Sequence, residues 1–306
     1  LLNNKALEAT VELNQLSPQA EGPKTKINAT VQPPKLDLED LYCILQIEPN
    51  DSLIAMELAR RLSVMNRLDE ALRILTSVIK IDYRFETLNA LAQLEYRADE
   101  IDQAYDHLQQ AILAAPENCP ELFEVFKTLG NIFVRRGDFD SAEDSYNKAH
   151  RLNPQSDVLY VNLGTLAVQK QNWDEALEKF RAALELNMAN DKAWVGLALG
   201  HRMKGDWELA WGNVEAALEY NPLNEVALGL ALEWSTYDGR EFRSLELIRT
   251  FLIEGGWNEK LSLAFAWLSY RRGEVNNAKL ELARLLAVNP ANEQAAEFFQ
   301  QIRTEP

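Results

Sequence analysis

Along most of the chain, apolar and small residues return every three or four positions, the period of a helix with one buried face. From Phe123 onward, Phe126, Leu129, Gly130 and Phe133 share such a face, and the run breaks at Gly137. A second run brings Ala142, Tyr146 and Ala149 to one side and stops at Pro154. Gly137 predicts a left-handed helix end, and Asp138 beside it a cap for the next helix. Small residues at Gly130 and Ala142 predict a close approach of the two helices, with Phe126 and Tyr146 filling the space that remains.

This pair of helices recurs on a fixed grid. Pro154, Pro222 and Pro290 stand 68 residues apart, twice 34, and Gly137, Gly205, Gly239 and Gly273 fall on the same grid. So do Ala142, Ala176, Ala210 and Ala278. A period of that length predicts a helix–turn–helix solenoid, in which each unit buries its apolar face against the next. Units start at Ser52, Phe85, Phe123, Asp157, Asp191, Glu225 and Glu259, with a lengthened turn around Pro116 and Pro120.

The unit at Asp157 carries Tyr160, Leu163, Gly164, Ala167, Ala176, Phe180 and Ala183; the one at Asp191 carries Trp194, Leu197, Ala198, Ala210, Ala217 and Pro222. At Glu259 the matching residues are Phe265, Ala266, Gly273, Ala278 and Pro290. The pattern resembles the tetratricopeptide repeat over about residues 50–292. The resemblance implies an all-α, right-handed α-solenoid of about seven helix–turn–helix repeats with capping helices. The unit at Glu225 departs most, with Leu232, Ser244 and Gly256 where a small residue, alanine and proline are usual. The expected organisation is an amphipathic helix at 1–16, a proline-rich linker at 17–35, a capping helix at 36–51, seven units over 52–292 and a second capping helix at 293–306.

Composition narrows the function. The 306 residues carry a net charge of −16, which repels phosphate backbones and anionic lipid and argues against nucleic-acid binding. No apolar run reaches the roughly 18 residues of a membrane span. Cys43 and Cys119 lack metal-ligand spacing, and the first residue, Leu1, leads us to expect a truncated or processed chain. His107, His150 and His201 lie in different repeats at different positions, with no nucleophile motif or phosphate-binding glycine loop beside them. The expectation is a non-enzyme without cofactor or metal, in the cytoplasm, a periplasmic or membrane-tethered location being the alternative.

The resemblance also points to a site. In this family the first helix of each unit lines a concave groove, and its second, fifth, sixth, ninth, twelfth and thirteenth residues face ligands. Members that grip C-terminal carboxylates use Lys and Asn in one repeat, Asn in the next, then Lys and Arg. Lys127, Asn131, Asn162 and Lys192 occupy four of those places, and Gly196 stands where the arginine would be. Ammonium groups attract a carboxylate and amides donate hydrogen bonds to it. The arginine's absence removes a bidentate partner. Val161, Thr165, Val168, Val195, Leu199, Met203 and Val226, edged by Arg202 and continued by Trp267, form an apolar strip on the same face, a composition that marks interaction surfaces. Leu2, Ala6, Ala9, Leu13 and Leu16 give the segment Leu1–Leu16 an apolar face, so that it could dock in the chain's own groove.

The expected function is therefore a scaffold or adaptor that binds a partner peptide or helix, an acidic or C-terminal segment fitting the lysines. The alternatives are an accessory region of a larger glycosyltransferase-type or response-regulator-type protein, or a factor in pilus or secretion assembly.

Overall fold

A computed structural model describes residues 36–303, the side chains of 236–238 excepted. The expected helix at 1–16 and linker at 17–35 lie outside the described residues. Within them the chain is all-α and divides into two units, with the boundary along the chain between Asn153 and Pro154.

The first unit holds α1 (Leu38–Ile47), α2 (Ser52–Val64), α3 (Leu68–Val78), α4 (Phe85–Arg97), α5 (Ile101–Ala114), α6 (Leu122–Arg136) and α7 (Phe139–Leu152). The second holds α8 (Asp157–Gln169), α9 (Trp173–Leu186), α10 (Asp191–Met203), α11 (Trp207–Tyr220), α12 (Glu225–Asp238), α13 (Glu241–Ile253), α14 (Glu259–Arg271), α15 (Val275–Val288) and α16 (Glu293–Arg303). From α2 to α15 they pack in seven consecutive pairs, with α1 against α2 and α16 against α15 as caps. Six of the seven first helices begin where the spacing places them; the third starts at Leu122, one residue before Phe123.

The turn inside every pair contains one residue in the left-handed region. Gly137, Gly205, Gly239 and Gly273 fill that place in four pairs, and Asn66, Asp99 and Gln171, with φ of 59, 68 and 59°, fill it in the others. The backbone requirement thus extends beyond the glycines that reveal it. Asp138 accepts from the amide of Ser141 at 3.1 Å and caps α7, as its position predicts.

Close helix approach follows from the small residues. A Cβ at Gly130 would lie 2.3 Å from the Tyr146 ring. In the second unit Phe180 is wedged between two glycines of neighbouring first helices, and a Cβ at Gly164 or Gly196 would lie 2.7 or 2.4 Å from its ring. The divergent pair α12–α13 keeps its packing by other means. Ser244, fully buried, donates its hydroxyl to the carbonyl of Ala231 at 2.9 Å, so its own polar group is satisfied. Gly256 makes room for Phe251, whose ring would meet a Cβ at 2.4 Å.

Successive repeats are also tied at their turns. In the second unit the first residue of a leading helix is held by two asparagines of the turn that opens the next. Asp157 accepts from Asn187 at 2.7 Å and Asn190 at 2.9 Å, and Asp191 from Asn221 and Asn224 at 2.6 and 2.8 Å. Glu259 takes the same two bonds from Asn289 and Asn292. The second asparagine of each pair also caps the following helix, Asn190 accepting from Ala193 at 3.0 Å. These clasps are written in the sequence as Asn-x-x-Asn at the period of the repeat, a signal missed when only apolar and glycine positions are followed.

Candidate functional site

The positions expected to face ligands lie on the leading helices, and the structure separates them by how their side chains are engaged. In the first unit Lys127 and Asn131 stand one turn apart on α6. The Lys127 ammonium pairs with Glu124 at 2.6 Å and lies over the Phe123 ring, 5.4 Å from its centre. The Asn131 carbonyl oxygen accepts from the Tyr146 hydroxyl at 2.7 Å, giving that buried phenol its partner. Burial raises the Tyr146 pKa, so it remains a neutral donor throughout the ordinary pH range. Both residues therefore have local structural work.

In the second unit Asn162 is half-buried on α8, while Lys192 at the start of α10 is exposed and makes no ion pair among the described residues. Gly196 lies one turn further on. Its place cannot take the arginine of the family's clamp, because Phe180 already fills the volume a side chain would need.

The apolar strip divides in the same way. Val161 and Val195 are only 9% and 7% exposed, packed in the core between repeats, so neither is available to a partner. This corrects the expectation for those two positions, and the cause is the tight stacking of α8 on α10. Val168 and Leu199 are half-buried. Thr165, Met203, Val226 and Trp267 are exposed, Met203 to 59%, Val226 to 62% and Trp267 to 48%. Thr165 turns its hydroxyl to the carbonyl of Val161 at 2.9 Å, within its own helix. The Arg202 guanidinium lies over the Trp207 ring, 3.5 Å from its centre, in a cation–π contact. The expected docked arm, Leu1–Leu16, lies outside the described residues.

Each unit also contains a groove beside a leading helix. In the first, Met56, Ala59, Arg60, Ser63, Leu75, Ala90, Gln93, Leu94 and Arg97 line about 220 Å³. Its cations are engaged: Arg60 with Glu57 at 2.8 Å, and Arg97 with the hydroxyl and carbonyl of Ser63. In the second, α14 and α16 bound a groove of about 440 Å³ lined by Lys260, Leu263, Ala264, Trp267, Gln294 and Phe298. Lys260, Leu263, Ala264 and Trp267 are the second, fifth, sixth and ninth residues of their unit. Only Trp267 stood out by residue type; the others were legible from repeat position alone. Phe298 reads from the sequence as capping core, yet only Ala295 and Ile302 of that helix are fully buried.

No group of three or more His, Cys, Asp or Glu side chains suited to a metal occurs among the described residues. Nor is any described helix long and apolar enough to cross a membrane.

Comparison with known proteins agrees with this architecture. Family models of the tetratricopeptide repeat match residues 83–155, 127–191 and 161–225. Among solved structures, the chain is similar to one from the APC/C hetero-tetramer Cut9–Hcn1, at 16% identity and a TM-score of 0.56. That match covers 87% of this chain and 52% of the other. Similarity to PilF of Pseudomonas aeruginosa has 16% identity and a TM-score of 0.52, over 71% of this chain and 97% of PilF. A tetratricopeptide repeat protein from Parabacteroides merdae matches at 16% identity and a TM-score of 0.52, over 82% of this chain and 98% of its own. These likenesses are of fold. No curated protein sequence matches the chain.

Proposed function

Because the chain belongs to the tetratricopeptide repeat family, whose repeats mediate protein–protein interactions, we propose that it is a non-enzymatic scaffold that binds a partner segment on the leading-helix face of its second unit. One observation carries the placement. In a chain whose basic side chains are mostly held by neighbouring carboxylates, Lys192 stands exposed and unpaired among the described residues on a helix that also exposes Met203. An unengaged cation on the same helix as an exposed apolar side chain is suited to an extended partner that brings both a carboxylate and apolar surface. Lys127 belongs to the proposal less strongly, since Glu124 already neutralises it.

Affinity capture from native lysate tests this reading with three baits: the wild-type chain, Lys127→Glu, and the double substitution Lys192→Glu/Met203→Asp. A partner held by the first two and lost from the third is expected. A partner held equally by all three would place binding elsewhere and overturn the assignment to this face.

A further inference from the structure

The groove between α14 and α16 deepens that reading. From it we infer that the last repeat and the capping helix form a preorganised pocket for a bulky apolar side chain adjacent to a carboxylate, presented by a partner protein's peptide.

The walls are held in place before any ligand arrives. Arg271 lies over the Trp267 ring, 4.7 Å from its centre, and is itself bonded to Glu241. The indole thus rests against a fixed cation and leaves about half of its surface open. Opposite, Tyr270 meets Phe298 edge-on, with ring centres 5.6 Å apart, which fixes the second aromatic wall. Leu263 and Ala264 complete an apolar lining. Because Ala264 is small, a channel remains between the two helices. A pocket of this volume and lining is of the kind that holds a ligand group, and fixed walls reduce the ordering cost of binding.

Charge selects the rest of the guest. Lys260 is the single charged residue lining the groove, and its ammonium makes no ion pair among the described residues. Gln294, at the second position of α16, adds an amide to the lining. Both side chains come from the first turns of their helices, where the helix dipole also favours negative charge. An ammonium with an amide orients a carboxylate, while the aromatic walls take the neighbouring side chain.

Fluorescence anisotropy with the full chain and three fluorescein-labelled decapeptides tests this. One peptide carries a phenylalanine–leucine pair flanked by aspartates, one replaces the aspartates with asparagines, and one replaces the pair with serines. The first is expected to bind, the second about fivefold more weakly, and the third without saturation. Ala264→Trp should abolish binding by filling the channel, and Lys260→Glu should weaken the aspartate peptide alone. Should Ala264→Trp fail to fold by circular dichroism, Gln294→Trp, at an exposed position, obstructs the same opening.

Failure of the aspartate peptide to bind would overturn the pocket, as would binding indifferent to these substitutions. Binding lost only in Lys192→Glu/Met203→Asp would overturn the pocket while leaving the function of the face in place. Displacement of the bound probe by a synthetic peptide of residues 1–16 at lower concentration than unlabelled aspartate peptide would make the chain's own segment the occupant. Self-association abolished by Ala264→Trp would make it a second copy. Either result would overturn the assignment to a partner protein.

Discussion

The two units join their repeats with different chemistry. In the second, asparagine amides from the following turn hold the first carboxylate of a leading helix, three times over at residues Asp157, Asp191 and Glu259. In the first, an ionic arrangement does comparable work. Arg84 bonds Asp82 at 2.8 Å through two nitrogens and reaches back to the Ser52 hydroxyl at 2.7 Å, while Thr87 donates to Asp82 at 3.1 Å. The left-handed turns differ too: two of the three in the first unit use Asn66 and Asp99, whereas three of the four in the second use glycine. The regular spacing of the second unit goes with reuse of one amide–carboxylate clasp, and the variable spacing of the first with a solution particular to its turn.

The strongest break in this comparison is expected from Gly196→Arg, which restores the family's missing clamp residue. Its side chain would strike Phe180, and overpacking of this kind costs about 3 kcal/mol or more. Chemical denaturation should show the loss, and a stable Gly196→Arg chain would contradict the packing of Phe180 between repeats.

Asn190→Ala comes next, because it removes both a helix cap and a bond to Asp157. A cost of about 1–2 kcal/mol is expected in urea unfolding. A change confined to a few tenths would mean that the clasp is incidental.

The ionic clasp of the first unit should show itself through pH. Hydrogen bonds from Arg84, foremost, together with Ser52 and Thr87, hold the Asp82 carboxyl well below the usual carboxylate range despite its partial burial. A folded-state pKa below the unfolded one contributes stability above the ordinary value, and this is lost as pH falls through the folded value. Asp82→Asn should therefore melt below wild type at pH 7, and the two melting temperatures should converge below about pH 4. A gap that persists undiminished in acid would assign the effect to shape rather than charge. Asp157 shifts downward as well: burial opposes the shift, and the amides of Asn190 and Asn187 prevail.

The smallest effect is a gain. Gln171 occupies the left-handed turn position that glycine fills in the other pairs of the second unit. Gln171→Gly should relieve backbone strain and raise stability by up to about 1 kcal/mol, visible as a higher melting temperature.

Much of this molecule is legible in its sequence. Glycine and alanine spacing locates the pairs, since a helix needs a left-handed exit and two helices need small residues to approach closely. Even the groove of the last repeat follows from repeat arithmetic once the second, fifth, sixth and ninth positions are followed past Trp267. What the sequence could not separate was occupancy among the positions expected to face a ligand. Lys127 and Lys192 are both lysines at places expected to face a ligand, yet one is neutralised by Glu124 and the other makes no ion pair among the described residues.

The repeat, its register and its helix ends were determined by the sequence alone, because each rests on local backbone chemistry repeated at a constant interval. Which polar and apolar side chains remain open to a partner was decided only in the tertiary structure. Stacking of neighbouring helices buries Val161 and Val195 and engages Asn131 with Tyr146, while Met203, Val226 and the Lys192 ammonium stay exposed. The burial of Val161 and Val195 depends on residues of the neighbouring repeat, about 34 positions along the chain, and contact at that distance leaves no mark on local pattern.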